Sequence, residues 1–156
     1  MKALLEETLL SEQQRWGCAL CCAYATRQQS LIAKLEPVAS DHLSETAVRA
    51  AKSAAALMAM NTVYYGALNH LNNHDYRAQP SRLSMIALTQ TEVDKIDFEL
   101  WAFAASAIAN CAACLNVHEA ELHKRGVTIE RVQSALRIAA TINAMATAMA
   151  AEGAHA

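Results

Sequence analysis

An all-α domain is what this sequence predicts, and three observations carry the expectation. Four glycines and two prolines are spread over 156 residues, so turns must be few and elements long. The apolar mass is Ala, Leu, Ile and Met, which apart from Ile are good helix formers, while aromatic residues make up 5%. Side chains that cap helices stand directly ahead of the apolar stretches, at Ser11, Ser44, Asp94 and Thr128.

The length suits a single domain, residues 1–156, with room for a hydrophobic core. Charged residues are 18% of the chain and the net charge is −2, which gives no electrostatic reason to expect nucleic acid or an anionic membrane. The N-terminal stretch carries Glu6, Glu7 and Glu12 and lacks the uninterrupted apolar region of a signal peptide. The uncharged run Ile138 to Ala151 is shorter than a membrane span and reads as a buried helix. A cytoplasmic protein is expected, and in that compartment five cysteines argue against a disulfide framework.

The elements follow in order. Ser11 caps a helix running to about Arg27, and a shorter one covers Leu31 to Glu36 until Pro37 stops it. Ser44 opens a long apolar helix, "ETAVRAAKSAAALMAMNTVYYGALNHL", and the polar stretch "NNHDYRAQPS" is the main loop. A short helix is expected near Arg82 to Leu88. Thr91 and Asp94 start another through Ala109. Asn110 caps the next, which ends at Gly126, and Thr128 caps the last.

Shifting the chain by about 84 positions lays "LSETAVRAAKSAAA" over "VTIERVQSALRIAA", a weak internal repeat of about 11–72 on 94–152. At that shift Cys18, Cys21 and Cys22 fall on Ala102, Ala105 and Ser106, which reads them as small core residues. Cys111, Cys114, His118 and Glu99 fall instead on Arg27, Ser30, Lys34 and Arg15. One half carries all four reactive residues and the other carries none.

Those four define the candidate site. Cys111, Cys114 and His118 lie at i, i+3 and i+7 and so share a helix face. The first cysteine sits at the helix start, where free amides and the macrodipole favour a thiolate. His118, one turn past Cys114, can take a proton from either thiol directly or through one water. Glu99 interrupts an otherwise apolar run from Phe98 to Ile108, either on a solvent edge or paired with His118 as the group that orients it. A structural zinc site would want four ligands, so one pair and a histidine are short of it, and no metal is expected. The remaining histidines, His42, His70, His74 and His123, read as surface or capping residues. Met58, Met60, Met145 and Met149 read as gap-filling core.

The stretch "FELWAFAASAIANCAACLNVHEAELHKRGV" resembles the signature of the alkylhydroperoxidase D (AhpD) family, of the AhpD/carboxymuconolactone decarboxylase superfamily. It has Glu, eleven residues, CxxC, three residues and His. "RWGCALCCAYATR", "ASDHLSETAVRAAKSAAALMAMNTVYYG" and "LSMIAL" also look like family segments, so the resemblance runs from about Gln14 to Ala150. It implies an all-helical, internally duplicated domain that assembles as a homotrimer. It also implies a peroxidase acting on alkyl hydroperoxides and hydrogen peroxide in antioxidant defence. Carried over, Cys114 forms the sulfenic acid, Cys111 is proton donor and resolving thiol, and His118 and Glu99 relay protons. Cys111 and Cys114 form the redox disulfide. No cofactor is bound. The reductant is a dihydrolipoyl group on an acyltransferase served by lipoamide dehydrogenase, and the peroxiredoxin AhpC is a further partner.

One departure is Ala112–Ala113, where related sequences often carry a polar pair with histidine second. The helix-start argument makes Cys111 the more acidic thiol, while the resemblance makes Cys114 the attacking one. Two rival readings are carbon-acid chemistry of the carboxymuconolactone decarboxylase type, against which the intact CxxC speaks, and a non-enzymatic redox-sensing or thiol–disulfide adaptor protein.

Overall fold

The computed structural model describes residues 8–86 and 91–153. Seven helices occur among them: α1 Glu12–Thr26, α2 Gln29–Ser40, α3 Glu45–His70, α4 Asp75–Ala78, α5 Lys95–Ile108, α6 Ala112–Lys124 and α7 Ile129–Gly153. None is long and apolar enough to cross a membrane.

The caps explain most boundaries. Ser11 forms a full capping box with Gln14 at the start of α1. The Ser44 hydroxyl accepts the Ala47 amide at the start of α3, and the Asp94 carboxylate accepts the Ile96 amide at the start of α5. At the end of α6, Gly126 adopts a left-handed φ of 77°, with Gly126 N–H on His123 O and Val127 N–H on Leu122 O. Buried Leu122 and Val127 complete that motif, in which a side chain at Gly126 would be strained.

Four boundaries differ from the expectation. Pro37 lies inside α2, which continues to Ser40. The ring removes one amide near the exposed Ala33 carbonyl, where water can satisfy the acceptor, while buried Leu35 and Ala39 hold the helix on both sides. The main loop contains the single turn α4. No helix covers residues 82–85, where Arg82 takes a left-handed φ of 52°; Leu88 lies outside the described residues. Asn110 does not cap α6 but makes the reversal after α5 with φ 52°, a conformation asparagine tolerates, and the cap is Cys111 itself.

The helices α1, α2 and α3 each begin within one residue, and end within two, of positions that α5, α6 and α7 occupy 84 residues later. The two sets meet face to face through α1 and α5. Gln13 Nε2 donates to Asp97 Oδ2 at 2.6 Å, between residues 84 apart. Gln14 Nε2 donates to the other carboxylate oxygen at 2.7 Å, and Arg131 holds Gln14 from α7 at 2.9 Å. The buried Trp101 indole lies where a Cβ at Gly17 would stand, and its Nε1 donates to Gln14 O at 3.2 Å. Glycine at 17 is therefore required by close approach, and that approach fixes α5 against α1.

Candidate active site

The site lies where α5, α6 and α3 meet. Cys111 and Cys114 are joined in a disulfide across the first turn of α6. The Cys111 Sγ accepts the Cys114 amide at 3.3 Å, so the sulfur serves as the cap that the free amides of a helix start require. The same amides would favour a thiolate there once the bond is opened. Both cysteines are buried, at 6% and 7% exposure, and Cys114 opens onto a cavity of about 350 Å3.

His118 follows one turn later and is 3% exposed. Its Nδ1 donates to Glu99 Oε2 at 2.6 Å, and the other oxygen of Glu99 accepts Lys95 Nζ at 2.8 Å. Glu99 is thus buried and paired, not on a solvent edge. Burial alone would raise its carboxyl, but the hydrogen bonds from His118 and Lys95 outweigh that and hold it below the ordinary carboxylate range. The free face of the imidazole does not meet a cysteine sulfur: Nε2 lies 3.1 Å from Met58 Sδ on α3. The structure therefore brings Glu99, Cys111, Cys114 and His118 into one constellation, with the ring clamped between a carboxylate and a thioether.

Three participants were not read from the sequence. Lys95 precedes Glu99 by one turn, a spacing that could have flagged it. Met58 does fill core, at 1% exposure, yet it also contacts the catalytic-candidate histidine, which no local pattern announces. Asn61 is a lone amide in the apolar run "ALMAMNTVYY". It lines the cavity with Tyr65, Asn69, Met85, Val117 and His118.

The other cysteines and histidines stand apart. Cys18, Cys21 and Cys22 are free and fully buried, and burial pushes all three thiols up, helped at Cys18 and Cys21 by neighbouring sulfurs. His42 pairs with Glu12 at 2.6 Å and stacks on Trp16, and His123 pairs with Glu119 at 2.8 Å. Among the described residues, no group of three or more His, Cys, Asp or Glu side chains is arranged to hold a metal ion.

Comparison with known proteins gives this geometry a setting. Residues 74–155 match the carboxymuconolactone decarboxylase family. Similarity to proteins named alkyl hydroperoxide reductase AhpD extends over nearly the whole chain. The Hyphomonas neptunium protein is 47% identical over 97% of this chain and 84% of its own length. That of Maricaulis maris is 45% identical over 97% and 88%, and that of Streptomyces coelicolor 46% identical over 92% and 80%. The chain belongs to the AhpD family.

The matched family region contains Glu99, both cysteines and His118 but begins after α3. The α3 face of this AhpD-family site, formed by Met58, Asn61 and Tyr65, comes from the other half of the chain. The similarity to the named AhpD relatives spans both halves.

Proposed function

We propose that this AhpD-family chain is a thiol-dependent alkyl hydroperoxide reductase. The observation that carries the reading is the Cys111–Cys114 disulfide at the start of α6, with His118 one turn on and clamped to buried Glu99. The names of its relatives support the same activity.

In this mechanism the Cys114 thiolate attacks the terminal oxygen of the hydroperoxide. The O–O bond breaks, its electron pair leaves with the alkoxide, and Cys114 becomes a sulfenic acid. The alkoxide takes a proton from the Cys111 thiol, and His118 and Glu99 relay protons between the groups. Cys111, now a thiolate, attacks the Cys114 sulfur, expels hydroxide as water after protonation, and closes the disulfide. An external dithiol reopens it by exchange, giving up two protons and two electrons and becoming a disulfide itself. Cys114 is assigned the attacking role because it opens onto the cavity and stands one turn from His118. Cys111, whose sulfur meets the helix-start amide, suits the proton donor and resolving thiol.

The proposal extends to the setting that the family resemblance implies. The dithiol is a dihydrolipoyl group on an acyltransferase served by lipoamide dehydrogenase, AhpC is a partner, and the protein works in the cytoplasm as a homotrimer. An internal duplication belongs to the same reading. It is supported by the matching helix boundaries 84 residues apart and by the pairing of Gln13 with Asp97.

The test is peroxide-dependent NADH oxidation with lipoamide and lipoamide dehydrogenase, on the wild type and Cys114→Ser. Turnover in the wild type, abolished in the variant, is expected. A reversible disulfide without turnover would favour a redox sensor or adaptor, and full activity in the variant would sink the cysteine assignment.

A further inference from the structure

Among the polar side chains of the cavity beside Cys114 that the mechanism above does not use, Asn61 is the buried one. The cavity walls include Tyr65, Met85, Ala113 and Val117, and Asn61 reaches it from α3. Asn61 is 7% exposed, and its Oδ1 is buried with no hydrogen-bond partner among the described residues. Leaving a buried carboxamide oxygen unpaired costs about 1–3 kcal/mol, which an apolar side chain of the same shape would avoid. That cost is borne by a residue lining the same cavity as Cys114. Met58, Asn61 and Tyr65 lie at i, i+3 and i+7 and so share one face of α3. On that face Met58 already touches His118, one turn before Asn61. Asn61 is therefore set into the side of the cavity that meets His118, and a half-turn of its carboxamide about the terminal bond presents the unpaired oxygen to it.

Building on the peroxidase reading, we propose that Asn61 is a substrate-positioning residue whose carboxamide oxygen accepts the O–H of an organic hydroperoxide in this cavity and presents its terminal oxygen to Cys114.

The chemistry suits an acceptor at that place. A hydroperoxide has one strong donor, the O–H on its terminal oxygen, and that oxygen is the one the thiolate attacks. The attack breaks the O–O bond and sends the electron pair to the departing alkoxide, which is protonated from Cys111. The O–H bond itself is never broken, and it becomes the O–H of the Cys114 sulfenic acid. One fixed acceptor therefore holds the same hydrogen in substrate, transition state and intermediate, without reorganising. The apolar walls meanwhile receive the organic tail. Reopening of the disulfide by a dithiol involves no such O–H. Asn61 should then matter for one half-reaction and not for the other, a signature that a merely structural residue would not give.

The experiment measures the half-reactions separately by stopped flow. The reduced protein is mixed with cumene hydroperoxide, and the oxidised protein with dihydrolipoamide, for the wild type, Asn61→Leu and Asn61→Ser. Asn61→Leu removes the acceptor at nearly constant volume, while Asn61→Ser keeps a small polar group if the leucine variant packs poorly. Loss of one hydrogen bond in the oxidation step should slow it about tenfold in Asn61→Leu. Reduction of the disulfide should stay within about twofold of wild type, with the serine variant between the two. Unchanged oxidation, or an equal fall in both half-reactions in both variants, would overturn the assignment. A wild type that does not react with cumene hydroperoxide at all would overturn the peroxidase reading and this proposal with it, which separates the two failures.

Discussion

The two halves of this molecule share a helical plan and differ in what the plan encloses. The turn from α1 to α2 carries exposed Arg27, Ser30 and Lys34 where, 84 residues later, the turn from α5 to α6 carries Cys111, Cys114 and His118, all buried. The Gln28 side chain makes no capping bond at the start of α2, whereas the Cys111 sulfur caps α6. From the first half, Met58, Asn61 and Tyr65 of α3 lie over α6, and they turn a capped CxxC into a shielded site. The lesson is that chemistry here comes from enclosure. A dithiol, a histidine and a carboxylate become a coupled unit because the other half of the chain helps bury them and supplies the second partner of the imidazole.

The strongest way to break this contrast is to remove the charge that sets the second half apart. Glu99→Gln leaves the shape but deprives His118 and Lys95 of their shared carboxylate. Peroxidase turnover should fall on the order of a hundredfold with helical content retained, as measured by coupled NADH oxidation and circular dichroism. The same pair gives a pH prediction. Because the Glu99 carboxyl is held below its ordinary value, its contribution to stability is fully present above the ordinary carboxylate range and is lost as pH falls through the lowered value. The difference in urea midpoint between wild type and Glu99→Gln should therefore stay flat from neutral pH to that range and narrow below it.

Next in size is the seam between the halves. Gly17→Ala forces a methyl into the Trp101 ring, so the folded state should lose about 1–3 kcal/mol, read as a lower thermal midpoint. Activity of the protein that remains folded should hold near wild type, since α5 is displaced only as far as the ring must shift.

Met58→Leu tests the thioether itself. The swap nearly conserves volume and should cost less than about 1.5 kcal/mol. Yet it removes the partner 3.1 Å from His118 Nε2, so the pH profile of turnover should move while the thermal midpoint barely does. An unmoved profile would reduce Met58 to the gap-filling residue that its sequence context suggests.

The smallest expected effect is a non-event. Native protein treated with iodoacetamide after mild reduction should be labelled at Cys111 and Cys114, but not at Cys18, Cys21 or Cys22. Those three are fully buried, with thiols raised well out of the reactive range. Mass spectrometry of the peptides would show it, and labelling in α1 would mean that the two halves open at their shared core.

Much of this was open to reading in one dimension. The helix starts at Ser11, Ser44 and Asp94 depend on side chains that bond to amides two or three residues away, so local sequence determined them. The shared face of Cys111, Cys114 and His118 follows from helical periodicity, and the stop at Gly126 from its freedom to take a positive φ. Pro37 and Asn110 misled because each has a local preference that tertiary packing redirected. Leu35 and Ala39 carry α2 past the proline, and the reversal after α5 puts Asn110 in the turn and leaves the cap to Cys111.

By itself, then, the sequence determined the helical class, the caps and the order Glu99, Cys111, Cys114 and His118, because these rest on contacts within a turn or two or on the spacing itself. Only the tertiary structure decided that Glu99 faces His118, that Met58 takes the other side of the ring, and that Asn61 lines the cavity with an oxygen that has no partner among the described residues. The first two are contacts between residues 19 and 60 positions apart on different helices, and the third is set by how the helices leave a void between them. No local rule sets which faces of distant helices meet; the packing of two halves around Gly17 and Trp101 does.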